Sequence, residues 1–184
     1  MRNRKKEAFW DWIRFLVFAI IILGAIYWVL SFLGQRTIII GDSMYPTLED
    51  GDSVFVNKLE YKNNDIERFD VVVFPHYNEV MQKEVFYIKR VIGMPNDIIR
   101  ISNAVIYINE EPLEEYYGYY DMDMPFYCGV AEEEIVLGEN EYFVLGDNRN
   151  DSDDSRKFGP ISRDIIIGRA DYKILPITDF GKIK

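Results

Sequence analysis

One histidine and one cysteine in 184 residues exclude several kinds of chemistry at the outset. With Cys128 alone, no intramolecular disulfide can form, so the fold rests on packing. One His, one Cys and no HExxH or paired-Cys motif leave no zinc ligand set. Cys128 reads as structural; as a nucleophile it would have no thiol-protease signature around it. A basic surface is missing as well. The formal net charge is −10, which argues against a nucleic-acid binder. No internal repeat is visible. What is plentiful is apolar material, 48% of the chain with 13 Tyr and 12 Phe, enough for one β-rich domain behind an anchor.

The anchor is Phe15 to Leu33, a 19-residue run without charge, interrupted only by Gly24 and Ser31. That length spans a bilayer core as a helix. Trp10, Trp12, Tyr27 and Trp28 stand at or near its ends, where interfacial aromatics belong. Residues 1–14 form a basic tail of five basic and two acidic residues, net +3, which leaves −13 for the remainder. The positive-inside rule then puts the N-terminus in the cytoplasm and residues 34–184 outside. A cleaved secretory signal would start alike. However, the run exceeds a usual h-region, and Ser31–Arg36 offers no small-x-small cleavage site, so a retained single-pass anchor is the reading taken.

Beyond the anchor, short β-branched or aromatic runs alternate with turn residues. They are 37–40, 53–56, 70–74, 85–92, 98–101, 105–108, 141–145 and 165–170. Asp50-Gly51, Pro95-Asn-Asp97, Gly146 and Gly159-Pro160 punctuate them. No long amphipathic helical pattern follows the anchor. The expected fold is mostly β, an antiparallel sandwich or partly open barrel. Residues 109–134, acidic and rich in tyrosine, read as an excursion from the core. Its tyrosines could contact partners or the membrane surface, or form a packed loop.

Three segments carry chemistry. In Gly41-Asp-Ser-Met-Tyr-Pro-Thr-Leu48, Ser43 sits between a strand and a proline turn. A serine is a poor nucleophile until a base takes its proton. His76, in a turn-like Phe-Pro-His-Tyr stretch, reads as a loop histidine. The other base is a lysine stripped of water, whose pKa desolvation lowers. Lys89, inside Phe86-Tyr-Ile-Lys-Arg-Val-Ile92, fits that description, although a strand lysine is also an ordinary edge or snorkelling residue. The third segment, Gly146 to Pro160, begins with nine polar residues from Asp147 to Ser155. It is a solvated turn or a supporting loop, and it lacks the Gly and terminal Glu of an EF-hand.

Together these segments resemble the bacterial type I signal peptidases, in particular the short single-anchor Gram-positive form. The matching boxes are 41–48, 51–58, Lys89-Arg-Val-Ile-Gly-Met-Pro-Asn-Asp97 and Gly146-Asp-Asn-Arg…Ser152-Asp-Asp-Ser-Arg-Lys-Phe-Gly159, with Ile167–Ala170 a weaker last one. The resemblance implies Ser43 as nucleophile and Lys89 as general base. It implies Ser152 as the hydroxyl that orients the amine, and Asp154 as the carboxylate that pairs with Arg90, supported by Asp147 and Arg156. The Ser43 N–H would donate to the oxyanion. Ile39, Ile40, Met44, Leu48, Tyr87 and Ile88 match positions lining shallow pockets for small side chains. Gly41 stands where some members carry a serine as second oxyanion donor. Asn96 replaces a turn glycine and tolerates the positive φ it needs.

The implied activity is removal of signal peptides from preproteins at the bilayer surface, after small-x-small sequences, with no metal or cofactor. The ten residues from Leu33 to Ser43 reach at most about 33–36 Å, which holds the nucleophile near the outer membrane face. Two rivals are weighed. Self-cleaving repressors share a Ser-Lys dyad but lack an anchor, and a silent tethered binding domain would lack the serine or the lysine. Oligomeric state is not read from the sequence.

Overall fold

The structure, a computed structural model, describes residues 2–79, 81–121, 123–124 and 126–183. Described side chains begin at Phe9 and omit 29–33 and 63. The basic side chains Arg2, Arg4, Lys5 and Lys6 of the expected tail therefore lie outside them, as do Met122 and Pro125 of the excursion.

The apolar run folds as expected into a helix, α1 (Arg2–Leu33), which also takes in the tail. Within it, Phe9–Trp28 is long and apolar enough to cross a membrane, and none of that stretch is buried by the rest of the chain. A helix suits lipid because it satisfies every backbone polar group internally. The chain passes directly into β1 (Gly34–Ile38), so the first strand starts and ends earlier than the 37–40 run suggested.

Among the described residues eleven more strands follow. They are β2 (Ser53–Asn57), β3 (Val71–Asn78), β4 (Lys83–Gly93), β5 (Ile98–Ser102), β6 (Val105–Ile108), β7 (Glu111–Pro112), β8 (Ile135–Val136), β9 (Glu141–Leu145), β10 (Ile161–Ser162), β11 (Gly168–Leu175) and β12 (Gly181–Lys182). Two four-residue helices, α2 (Glu60–Asn63) and α3 (Ser155–Phe158), complete the main elements. The run expected at 165–170 splits, its first part forming a 3-10 turn (Arg163–Ile165) and its end opening β11.

The fold is mostly β, as expected, with antiparallel pairing throughout both sheets and no closed barrel. The large sheet runs β1-β2-β11-β3-β4-β9-β10, with β12 beside β11. The small one runs β7-β6-β5-β8. One apolar cluster lies under residues 39–48: Ile39, Met44, Leu48, Val54, Val56, Val71, Val73 and Ala170 are all buried. A second, around Phe74, Val91, Tyr142 and Val144, backs the middle of the large sheet. A third, around Ile92, Ile99, Ile101, Leu137 and Phe143, joins the two sheets. Burying each large aliphatic side chain contributes roughly 1.5–3 kcal/mol, so these clusters are the main source of the domain's stability. Asn96 takes φ 68, the positive angle expected of it.

Candidate active site

Ser43 stands in the turn that links β1 to β2. The ends of that turn are pinned by Ile39 N donating to Asp52 O at 2.8 Å and Gly51 N donating to Ile39 O at 3.0 Å. Beneath it Met44 and Leu48, both 0% exposed, plug into the apolar cluster. The turn is therefore held from below by packing, and its upper side, with Ser43 half-buried, faces a cleft of about 520 Å³.

Lys89 enters the cleft from β4. Its Nζ donates to Ser43 Oγ at 2.7 Å, and the residue is only 3% exposed. Burial pushes the ammonium down from its ordinary 10.5 to about 8, against the pull of Asp154, Asp153 and Asp147; Arg156 adds to the lowering. A buried amine hydrogen-bonded to a hydroxyl and partly neutral near physiological pH can accept that hydroxyl's proton.

Arg90, the next residue, leaves the strand on the other face, because successive strand side chains alternate. It is 0% exposed and forms a bidentate pair with Asp147, Nε to Oδ1 at 2.8 Å and Nη2 to Oδ2 at 2.6 Å. Asp147 also accepts from Thr47 Oγ1 at 2.5 Å, tying the ion pair to the Ser43 turn. Asp154 makes a separate bidentate pair with Arg156, at 2.8 and 2.7 Å. The expected partnership of Asp154 with Arg90 is thus corrected: register sets Arg90 opposite Leu145 at the end of β9, and Asp147 is the first carboxylate beyond it. Asp154 caps α3 instead, accepting from Arg156 N at 3.2 Å, and it takes Gly146 N at 3.1 Å. Burial alone would raise the Asp154 carboxyl, but the Arg156 guanidinium overrides it and holds it below its ordinary value.

Ser152 Oγ is buried and makes no well-formed hydrogen bond among the described residues, although it lies near enough to Asp154 to help keep that carboxylate ionised. Gly146 explains how Ser152 comes so close to Ser43, since a Cβ there would collide with both Ser152 Oγ and the Ser43 carbonyl. Asn148 N donates to that carbonyl at 3.1 Å. The Ser43 N–H donates to no acceptor among the described residues, which leaves it available to a ligand.

The expected pocket residues divide into two groups. Ile39, Ile40, Tyr87 and Ile88 line the cleft, Ile40 with 83% of its surface exposed. Met44 and Leu48 do not; they lie below the floor in the core. Ile38, Val85 and Phe86 join the apolar wall, and Asp151 and Asp153 form an acidic rim. The sequence reading missed this rim, Thr47 and Asn148, although all sit inside or beside the quoted boxes. His76 is on β3 rather than in a loop, its ring between Tyr87 and Phe158 at 4.8 and 4.4 Å; burial lowers its pKa. Cys128 is half-buried and packs against the cluster joining the sheets. Among the described residues, no group of three or more His, Cys, Asp or Glu is arranged to hold a metal ion.

Residues 9–175 match the family described as signal peptidase, peptidase S26. Signal peptidase IB of Staphylococcus aureus is 36% identical over 191 residues, covering 96% of this chain and 94% of the relative. Signal peptidase I of Bacillus amyloliquefaciens is 32% identical over 196 residues, covering 99% and 93%. Among solved structures, a signal peptidase I from Enterococcus faecalis aligns with TM-score 0.47 and 29% identity, covering 58% of this chain and 97% of its own.

Proposed function

This chain belongs to the signal peptidase family, peptidase S26, and from that premise we propose that Ser43 is its nucleophile and Lys89 its general base. It is a serine endopeptidase that removes signal peptides from preproteins, and α1 could anchor it in the membrane. The observation that carries the assignment of roles is the 2.7 Å hydrogen bond between Lys89 Nζ and Ser43 Oγ in a site that holds the amine near pKa 8.

In the proposed sequence, neutral Lys89 takes the Ser43 proton as Oγ attacks the scissile carbonyl. The Ser43 N–H, which has no acceptor among the described residues, donates to the developing oxyanion. Collapse expels the mature chain's amine, which takes the proton back from Lys89, and leaves a Ser43 acyl ester. Lys89 then deprotonates the water that hydrolyses it. Ser152 Oγ, buried and without a well-formed hydrogen bond among the described residues, is read as the hydroxyl that orients the amine. Arg90–Asp147 and Asp154–Arg156 hold the two turns. The wall of Ile39, Ile40, Tyr87 and Ile88 would select small side chains by steric exclusion.

The chain is read as a tail (1–14), an anchor (15–33) and a peptidase domain (34–184), with the N-terminus cytoplasmic. Protease added outside intact cells should then digest the domain and spare the N-terminus; protection of the domain would reverse the orientation.

The roles are tested by incubating detergent-solubilised protein with a preprotein and sequencing any new N-terminus. Ser43→Ala and Lys89→Ala should each lower cleavage by at least about 10³-fold while circular dichroism stays native. Cleavage by the lysine variant at close to the wild-type rate would remove Lys89 as the base.

A further inference from the structure

The tyrosine-rich segment ahead of Met122 has no part in the chemistry above, yet its contacts converge on the parts that do. Glu115 takes Arg149 in a bidentate pair at 2.5 and 2.6 Å, with the Arg149 side chain 2% exposed. Arg149 in turn donates from Nε to Gly146 O at 3.0 Å and accepts at its carbonyl from Arg156 Nη1 at 2.7 Å. Two residues on, the Tyr117 ring lies 4.0 Å from the Arg90 guanidinium. Two further, Tyr119 pairs with the 147–149 backbone as an added parallel bridge. Its N–H donates to Asp147 O at 2.7 Å and its carbonyl accepts from Arg149 N at 2.8 Å. The Tyr119 ring meets Tyr45 of the nucleophile turn edge-on at 5.4 Å. Gly118 lets the ion pair close over the backbone, for a Cβ there would lie 2.6 Å from Glu115 Oε1 and 3.0 Å from Arg149 Cζ.

We propose that residues 115–121 form a strap that positions the Ser43 turn against Lys89, with Glu115 and Tyr117 as its positioning residues. The route is short. The strap clamps Asp147 and Arg149 on either side of Asn148, and Asn148 holds Ser43 O through its N–H and Asp42 O through Nδ2 at 3.2 Å. Tyr117 covers the cation that pairs with Asp147, and Asp147 holds Thr47. The segment also packs, with Tyr117 against the cluster joining the sheets and edge-on to Phe69 at 5.3 Å, but its ion pair and the Tyr119 backbone hydrogen bonds go to the 146–149 loop. A small displacement of the nucleophile is costly because proton transfer needs hydrogen-bond reach. The inference rests on the Ser43–Lys89 reading.

The test uses the full chain in detergent with a peptide substrate, and a serine-acylating reagent to count active sites. Glu115→Ala and Tyr117→Ala should leave the titratable fraction near wild type while turnover per titrated site falls about tenfold or more and KM stays within about twofold. Glu115→Gln keeps one acceptor for Arg149 and should lose less. Tyr117→Phe should restore turnover, because the Tyr117 hydroxyl is buried without a partner among the described residues and the ring alone makes the contact. A loss confined to the titratable fraction, with turnover per site unchanged, would overturn the strap and leave ordinary packing; so would unchanged turnover in both alanine variants. The premise fails separately: it falls if Ser43→Ala is still acylated and still cleaves the peptide, and it stands if the wild type is labelled at Ser43.

Discussion

The two faces of β4 treat a buried cation in opposite ways. Lys89 and Arg90 are adjacent, 3% and 0% exposed. On one face the lysine meets a neutral hydroxyl, and burial drives its pKa down to about 8. On the other the arginine meets a wholly buried carboxylate in a bidentate pair. A buried charge without a partner discharges, and a buried charge with one stays and fixes geometry. Each residue type suits its face. Lysine shifts its pKa readily when desolvated, while a guanidinium keeps its charge and presents a planar fork to a carboxylate. The face proposed to move a proton and the face that holds still are thereby separated by one peptide bond.

The comparison is broken most forcefully on the arginine side. Asp147→Asn leaves Arg90 buried without its carboxylate and should cost about 3–5 kcal/mol in chemical denaturation. A change under about 1 kcal/mol would mean that the pair contributes no more than a surface one.

On the lysine side the sign reverses. Lys89→Met removes a group that the folded state holds some 2.5 pH units below its ordinary value. At pH 7 the variant should therefore be more stable than wild type, by about 3 kcal/mol at one pKa unit per 1.36 kcal/mol. Wild-type stability gains from this group as pH rises from about 8 to 10.5, because there the unfolded chain binds the proton that the folded chain has lost. Urea titrations of both proteins across that window should converge; parallel curves would place the folded pKa at its ordinary value.

Activity sharpens the same contrast. With the neutral amine as the proposed base, kcat/KM should fall about tenfold per pH unit below about 8, with the limb absent from any residual activity of Lys89→Met. A profile governed only by a carboxylate-like group would remove the depressed lysine. The smallest effect lies on the surface. Lys157, in an exposed pair with Asp153, should change stability by less than about 1 kcal/mol when made alanine.

Much of the molecule was legible beforehand because its signals are local. A 19-residue apolar run dictates a helix wherever it is placed, and β-branched runs between turn residues dictate strands. The end of β1 and the start of β11 were misread for a physical reason. Ile39 and Ile40 are as β-prone as their neighbours, but Ile39 is buried in the apolar cluster and its backbone is tied to Asp52 and Gly51, so the chain leaves the strand there and opens the Ser43 turn with Ile40 exposed. Met44 and Leu48 show the same limit, since their pattern cannot tell a cleft wall from the core beneath it. The Asp154–Arg90 pairing went wrong because partner choice depends on the register of β4 against β9, which no single segment contains.

By itself, then, the sequence determined the apolar helix, the β-rich class and the boxes that hold a serine, a lysine and their supporting charges. Only the tertiary structure decided which of these meet. Ser43 precedes β2, and Lys89 is on β4, with β11 and β3 between them in the sheet. Their 2.7 Å approach is made above an apolar cluster that takes in Met44 and Leu48 beneath the serine and Ile88 beside the lysine, and it leaves the lysine 3% exposed. Proximity and dryness are properties of many distant residues acting together, and so they cannot be read from the order of neighbours along the chain.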